Sequence, residues 1–172
     1  MSTPSSEGTP VNVRKLGHVV FTVSDIERST RFWTDIMGFQ VSDHNERGMV
    51  FLRNGSDHHT IALVPAETPS AVPKEGQPGF HHCALEVETV SELFKIRDFL
   101  REKDVPIVYE GRRGPGGNPG LEFKDPDGFN IELYSSMDQI GADGQSRPAA
   151  EWRRAKTLEE AVAHPLPGVT YR

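Results

Sequence analysis

HHCALEV, residues 81–87, is an apolar run headed by two histidines, and it has a counterpart much earlier in the chain, GHVVFTV, residues 17–23. Both alternate as half-buried strands do, with side chains pointing to opposite faces in turn. The segment after each run is repeated too. SDIERSTRFWTDIMGF (24–39) reads as a helix with Ser24 or Asp25 as N-cap. Ile26, Phe32, Trp33, Ile36 and Met37 form its apolar face, and Gly38 sits at its C-cap. VSELFKIRDFLREKD (90–104) reads as a helix with Leu93, Phe94, Ile96, Phe99 and Leu100 apolar. Three short strands close each half: QVSDH, GMVFLR and HTIALVP in the first, VPIVYE, GLEFKD and FNIELYS in the second. NGSD (54–57) and DPDG (125–128) are the turns. Each half is therefore βαβββ. The expected fold class is α+β: two paired βαβββ modules forming a curved mixed sheet, with the helices outside.

Around this repeat, residues 1–13 read as a disordered leader and 14–137 as the folded domain. Module one is 14–64 and module two 80–137. Between them, 65–79, PAETPSAVPKEGQPG, is a linker with four prolines and no periodicity. Residues 138–172 form a tail. A short helix there would have Thr157 as N-cap, Glu160 completing a capping box, and Leu158, Ala161 and Val162 as its apolar side. Trp152 would anchor the tail on the domain or on a partner subunit.

Composition narrows the function. At 172 residues and 35% hydrophobic, the chain supports one sizeable core. A net charge of −6, with no basic cluster denser than GRR at 111–113, excludes nucleic acid as a partner. Cys83 is the only cysteine, so no internal disulfide forms and a reducing compartment is expected. No apolar run nears the ~20 residues of a membrane span. The polar MSTPSSEGTP lacks the apolar core of a signal peptide. A cytoplasmic protein with no membrane partner is expected.

Strand parity then singles out side chains. Aligned on the repeat, Val19, Phe21 and Val23 share the core-facing set with Cys83, Leu85 and Val87. His18 and His82 point the other way, into the concave side, while His81 falls with the core set. Taken singly, each histidine reads as a partly exposed strand residue bonded to backbone. Their coincidence in register reverses that. Glu132 lies between Ile131 and Leu133, which face the helices, so it joins the histidines on the concave face. It reads either as a solvated sheet residue or as a third metal ligand. Two imidazoles and one carboxylate suit a divalent first-row metal, and open positions beside such a triad mark non-haem Fe(II) oxygenases. The module-one counterpart of Glu132 is Ala62, which cannot ligate and leaves room for substrate and O2.

The paired modules with LGHVVFTV, HHTIAL, HHCALEV and DPDGFNIELY resemble the vicinal oxygen chelate superfamily over residues 14–137. They are most similar to the catalytic domain of type I extradiol (catechol-cleaving) dioxygenases. The resemblance implies a metal triad of His18, His82 and Glu132, matching the parity argument. It also implies a catalytic His59, three positions before the Ala62 slot, although strand parity alone would put His58 on that face. Where extradiol enzymes have a histidine and a tyrosine near the metal, this chain has Arg113 and Glu122. Arg113, or its neighbour Arg112, would then hold a substrate carboxylate or a semiquinone-like oxygen, unless it is simply a solvated loop residue.

The implied activity is ring cleavage of a catechol-like vicinal diol with Fe(II) and O2, with His59 acting first as base and then as acid. One alternative is glyoxalase- or epimerase-like chemistry with Mn(II), Ni(II) or Zn(II) as Lewis acid. A second is a metal-free small-molecule binding or resistance protein, which the intact triad counts against. A homodimer or higher homo-oligomer is expected, with modules paired within a chain or swapped between chains.

Overall fold

The structure, a computed structural model, describes residues 11, 13–68 and 78–171. Most of the leader expected over 1–13 and most of the linker expected over 65–79 lie outside the described residues. The chain divides into two compact units, one through Pro69 and one from Ser70. Each carries one βαβββ module, giving two four-stranded mixed sheets with helices, an α+β architecture.

In the first unit β1 (Val19–Val23) is followed by α1 (Ile26–Arg31), β2 (Gln40–His44), β3 (Val50–Arg53) and β4 (Ile61–Pro65). The sheet order is β1-β4-β3-β2, with β1 parallel to β4 and the other neighbours antiparallel. Asp25 is the N-cap, accepting the Arg28 amide at 3.0 Å. The helix does not run regularly to its end. Residues Phe32–Ile36 form a π turn, closed by the Met37 amide on the Phe32 carbonyl at 3.1 Å. Adjacent Phe32 and Trp33 are both buried there. The Trp33 ring lies 5.6 Å from Phe21, 5.8 Å from Phe32 and 5.1 Å from Phe39, centre to centre.

The second unit repeats the plan with β5 (His82–Glu86), α2 (Val90–Glu102), β6 (Ile107–Arg112), β7 (Pro119–Lys124) and β8 (Asn130–Tyr134), in the order β5-β8-β7-β6. Thr89 and Glu92 make a full capping box at the start of α2. Val90, Leu93 and Leu100 are buried, and the helix packs on β6, β7 and β8. The tail helix is α3 (Leu158–Ala163), with the Thr157 side chain accepting the Glu160 amide at 3.0 Å. The Glu160 carboxylate reaches the amide of Lys156 at 2.7 Å, one residue before the cap expected from the sequence.

The ladders bear out the repeat residue by residue. Val19 pairs with Ile61 as Cys83 pairs with Ile131, and Val20 with Ala62 as Ala84 with Glu132. Both modules even break register at the same place, between Val41 and Asp43 and between Ile107 and Tyr109. Phe21, Val23 and Cys83 are buried, as alternation requires. Among the described residues no helix is long and apolar enough to cross a membrane.

Candidate functional site

Residues directly opposite one another in a ladder share a face, so one row of each sheet can be followed from strand to strand. In module two the row through Ala84 continues to Glu132, Glu122 and Tyr109. The matching row in module one is Val20, Ala62, Phe51 and Asp43. One row is ionic and the other mainly apolar, on the same backbone plan.

His82, two residues before Ala84, falls on the face of the ionic row. Its Nε2 lies 3.3 Å from Glu132 Oε2. The other carboxylate oxygen of Glu132 accepts a hydrogen bond from Asn118 Nδ2 at 3.3 Å. The absence of a side chain at Gly120 leaves room for it, because a Cβ there would stand 3.0 Å from that oxygen. Burial pushes the Glu132 carboxyl above its usual range. The Glu122 charge adds to this, against opposing effects of His82, Arg113 and the Asn118 bond. An anion held this way, with an imidazole nitrogen at the same oxygen, fits a divalent cation. The donor set is one that first-row metals take. Among the described residues no group of three His, Cys, Asp or Glu is gathered as a ready-made metal cluster. Module two contributes the His82–Glu132 pair, and His18 belongs to module one.

Alternation would have put His81 with the core, but it is exposed, because β5 begins only at His82. Its Nδ1 lies 2.7 Å from His82 Nδ1. If His82 uses Nε2 for a metal, its Nδ1 proton has an acceptor at hand.

In module one the ring of His18 lies 4.6 Å from that of His59, which is also 5.0 Å from the ring of Phe51. Both histidines border the row of Ala62, His59 through Phe51 and His58 through Asp43, with Nε2 3.8 Å from Oδ2, and His59 is the one beside His18. Parity speaks for His58 only if the strand reaches back to residue 58. β4 starts at Ile61, so alternation does not extend back that far. The His59 ring is held below its ordinary pKa by burial and by the neighbouring His18 and His58.

Arg113 is ion-paired with Glu122, whose side chain is buried, and lies over the Tyr109 ring, 3.8 Å from its centre. Arg112, the other candidate for a substrate contact, is buried in the fold and bonded to the tail. Two site residues escape a reading of the sequence. Asn118 lies in a glycine-rich loop with no periodicity. Tyr109 joins the row only through the register break that follows Ile107.

Residues 15–133 match the family described as the Glyoxalase/Bleomycin resistance protein/Dioxygenase superfamily. The chain is 29% identical over 148 residues to metapyrocatechase 2 of Cupriavidus necator, covering 84% of this chain and 43% of that one. It thus spans less than half the length of that relative, and of several others. It is 30% identical over 147 residues to mitochondrial methylmalonyl-CoA epimerase of Mus musculus, covering 77% of this chain and 81% of that one. Among solved structures, a glyoxalase/dioxygenase from Nostoc punctiforme superposes with a TM-score of 0.62 at 20% identity. That match covers 79% of this chain and 100% of the other, and it speaks to the fold alone.

Proposed function

The chain belongs to the glyoxalase/bleomycin resistance protein/dioxygenase superfamily, and from that premise we propose that it is a metal-dependent enzyme acting on a small molecule with two adjacent oxygens. Its leading activity is extradiol-type ring cleavage. His82 and Glu132 are two ligands and His18 the third, with Fe(II) as the metal that suits such a set and O2 as co-substrate. Mn(II), Ni(II) or Zn(II) are the other candidates. The observation that carries this reading is the convergence of His82 Nε2 and Glu132 Oε2 at 3.3 Å, in the row whose module-one counterpart holds Ala62.

Bound Fe(II) would supply one-electron chemistry between a chelated diol and O2. The protein's own part is positioning and proton traffic. His59, beside His18 and Phe51, takes the proton a diol sheds on binding and returns it to the product side. Asn118 keeps the Glu132 carboxylate turned to the ligand position. Arg113, fixed flat by Tyr109 and Glu122 yet half-exposed, offers a cation to a substrate oxygen.

A second reading has its own support. Glu122 and Arg113 occupy the positions where the extradiol pattern has tyrosine and histidine, so a carboxylate–guanidinium pair replaces an aromatic donor. That suits Lewis-acid isomerase or lyase chemistry. Oxygen uptake separates the two. Protein reconstituted anaerobically with Fe(II) and mixed with a panel of substituted catechols consumes O2 and forms a coloured ring-cleavage product, and His82→Ala does not. Metal-loaded protein that consumes no O2 with any of them favours the second reading.

A further inference from the structure

The geometry points to the C-terminal segment, residues 149–171, as the element that sets the loop Arg112–Asn118, with Arg112 as the positioning residue at its centre. That loop carries both Arg113, which pairs with Glu122, and Asn118, which bonds Glu132. Only the functional consequence rests on the reading of Glu132 as a metal ligand; the strap itself stands apart from it.

The Arg112 side chain is 1% exposed. Its Nε donates to the Arg153 carbonyl at 3.0 Å and its Nη1 to the Tyr171 hydroxyl at 2.8 Å. Its Nη2 donates to the carbonyls of Ala161 at 3.1 Å and His164 at 2.8 Å. A buried guanidinium is costly unless its N–H groups are met, so the loop reaches this state only with the tail in place. The backbone is tied as well. Arg112 and Ala155 exchange amide-to-carbonyl bonds at 2.9 and 3.0 Å, which covers the outer edge of β6.

Gly111 at the end of β6 and the loop's own glycines lie where the tail approaches. Gly111, with φ 119°, abuts the Ala155 carbonyl, and Gly117, with φ 65°, abuts Leu166. A Cβ on Gly114 would stand 2.8 Å from the Trp152 ring. The Arg113 carbonyl accepts from Arg154 Nε at 2.8 Å, and the Gly116 carbonyl accepts the Asp138 amide at 2.8 Å. Asp138 is in turn gripped by Arg147 through both carboxylate oxygens, at 2.7 and 3.0 Å. The loop is thus held between the tail on one side and two carboxylates of the ionic row on the other.

The test uses the full chain with Arg112→Lys, which keeps the charge but loses the planar fork, and Tyr171→Phe, which removes one acceptor only. Two quantities are read: amide hydrogen exchange over residues 111–118 and 155–166, and binding of Co(II) with its visible spectrum. We expect exchange in both segments to rise together, roughly tenfold or more in Arg112→Lys and less in Tyr171→Phe, with β8 unchanged. Co(II) affinity falls by about tenfold or more and the visible bands shift. A tail that opens while residues 111–118 stay protected overturns the inference. So does a Co(II) spectrum unaltered by an opened loop. Wild-type protein that takes up no Co(II) refutes the metal reading instead, and the exchange pattern alone then decides the strap. Should Arg112→Lys fail to fold, the same two readouts on Tyr171→Phe decide the matter.

Discussion

His82 meets a partner through each ring nitrogen, Glu132 at Nε2 and His81 at Nδ1. At this scale the sequence revealed what alternation reaches. His82 and Glu132 lie on one face because each is an even number of residues from its row mate and the strands between are regular. His81 escaped that logic because it stands just before β5 begins. The Glu132 carboxylate is held above its usual pKa chiefly by burial. Glu132→Gln should therefore raise the melting temperature of the metal-free protein while lowering metal affinity by more than roughly a hundredfold, beyond the 10–100-fold of an outer partner. Calorimetry and metal titration check the two halves, and a metal-free protein destabilised by the change would contradict the first. Asp125, 5% exposed in the DPDG turn, gives a pH prediction. Its Oδ1 accepts the amides of Asp127 and Phe129, while its buried Oδ2 has no hydrogen-bond partner among the described residues. Burial raises its carboxyl from 3.8 to about 6. The folded state therefore holds the proton more tightly than the unfolded one. The stability it contributes is fully present below the ordinary value and is lost as pH rises through about 6. Asp125→Asn keeps the acceptor and should remove that slope, stabilising the protein at neutral pH by on the order of 2–3 kcal/mol. Parallel stability curves for the two proteins between pH 4 and 7 would refute this.

At the scale of elements, the strands and α2 were legible because periods of 2 and 3.6 are strong signals. The departures are local and have backbone causes. The π turn at Phe32–Ile36 takes an extra residue per turn, which no helical period anticipates. The register breaks after Val41 and Ile107 let one strand advance two residues against one on its neighbour. Ile107 faces the core opposite Phe123, and Tyr109 faces the site opposite Glu122. Plain alternation keeps Tyr109 with Ile107, so its place beside Arg113 was hidden. Trp33, wholly buried among three phenylalanines, is expected to cost about 3–5 kcal/mol on truncation to alanine, read from urea unfolding. Gly111→Ala should destabilise module two by about 1–3 kcal/mol. Its φ of 119° strains any side chain, and the Ala155 carbonyl occupies the space. An unchanged midpoint for either variant would contradict these assignments.

At the scale of the molecule, the repeat carried the fold. Two βαβββ patterns in one chain predicted paired modules in one curved mixed sheet; the modules are there, as two four-stranded sheets with matching strand order. The tail was less legible. Its helix and cap could be read from Thr157 and Glu160, but its union with the domain depends on Arg112, one of two adjacent arginines that the sequence does not tell apart. Chemistry was the least legible. The ligand candidates stand out by type and register, whereas Glu122 and Arg113 set this chain apart from the extradiol pattern it otherwise resembles. His18, His82 and Glu132 are proposed to form one metal site, and the function proposed for the chain depends on it. The decisive measurement is metal content of the protein after loading with Fe(II) under anaerobic conditions and removal of excess, for the wild type and for His18→Ala, His82→Ala and Glu132→Ala. About one ion is expected for each full set of three ligands in the wild type, with loss of that ion in every variant. Full retention of metal by any one of the three, His18→Ala above all, would contradict the shared site.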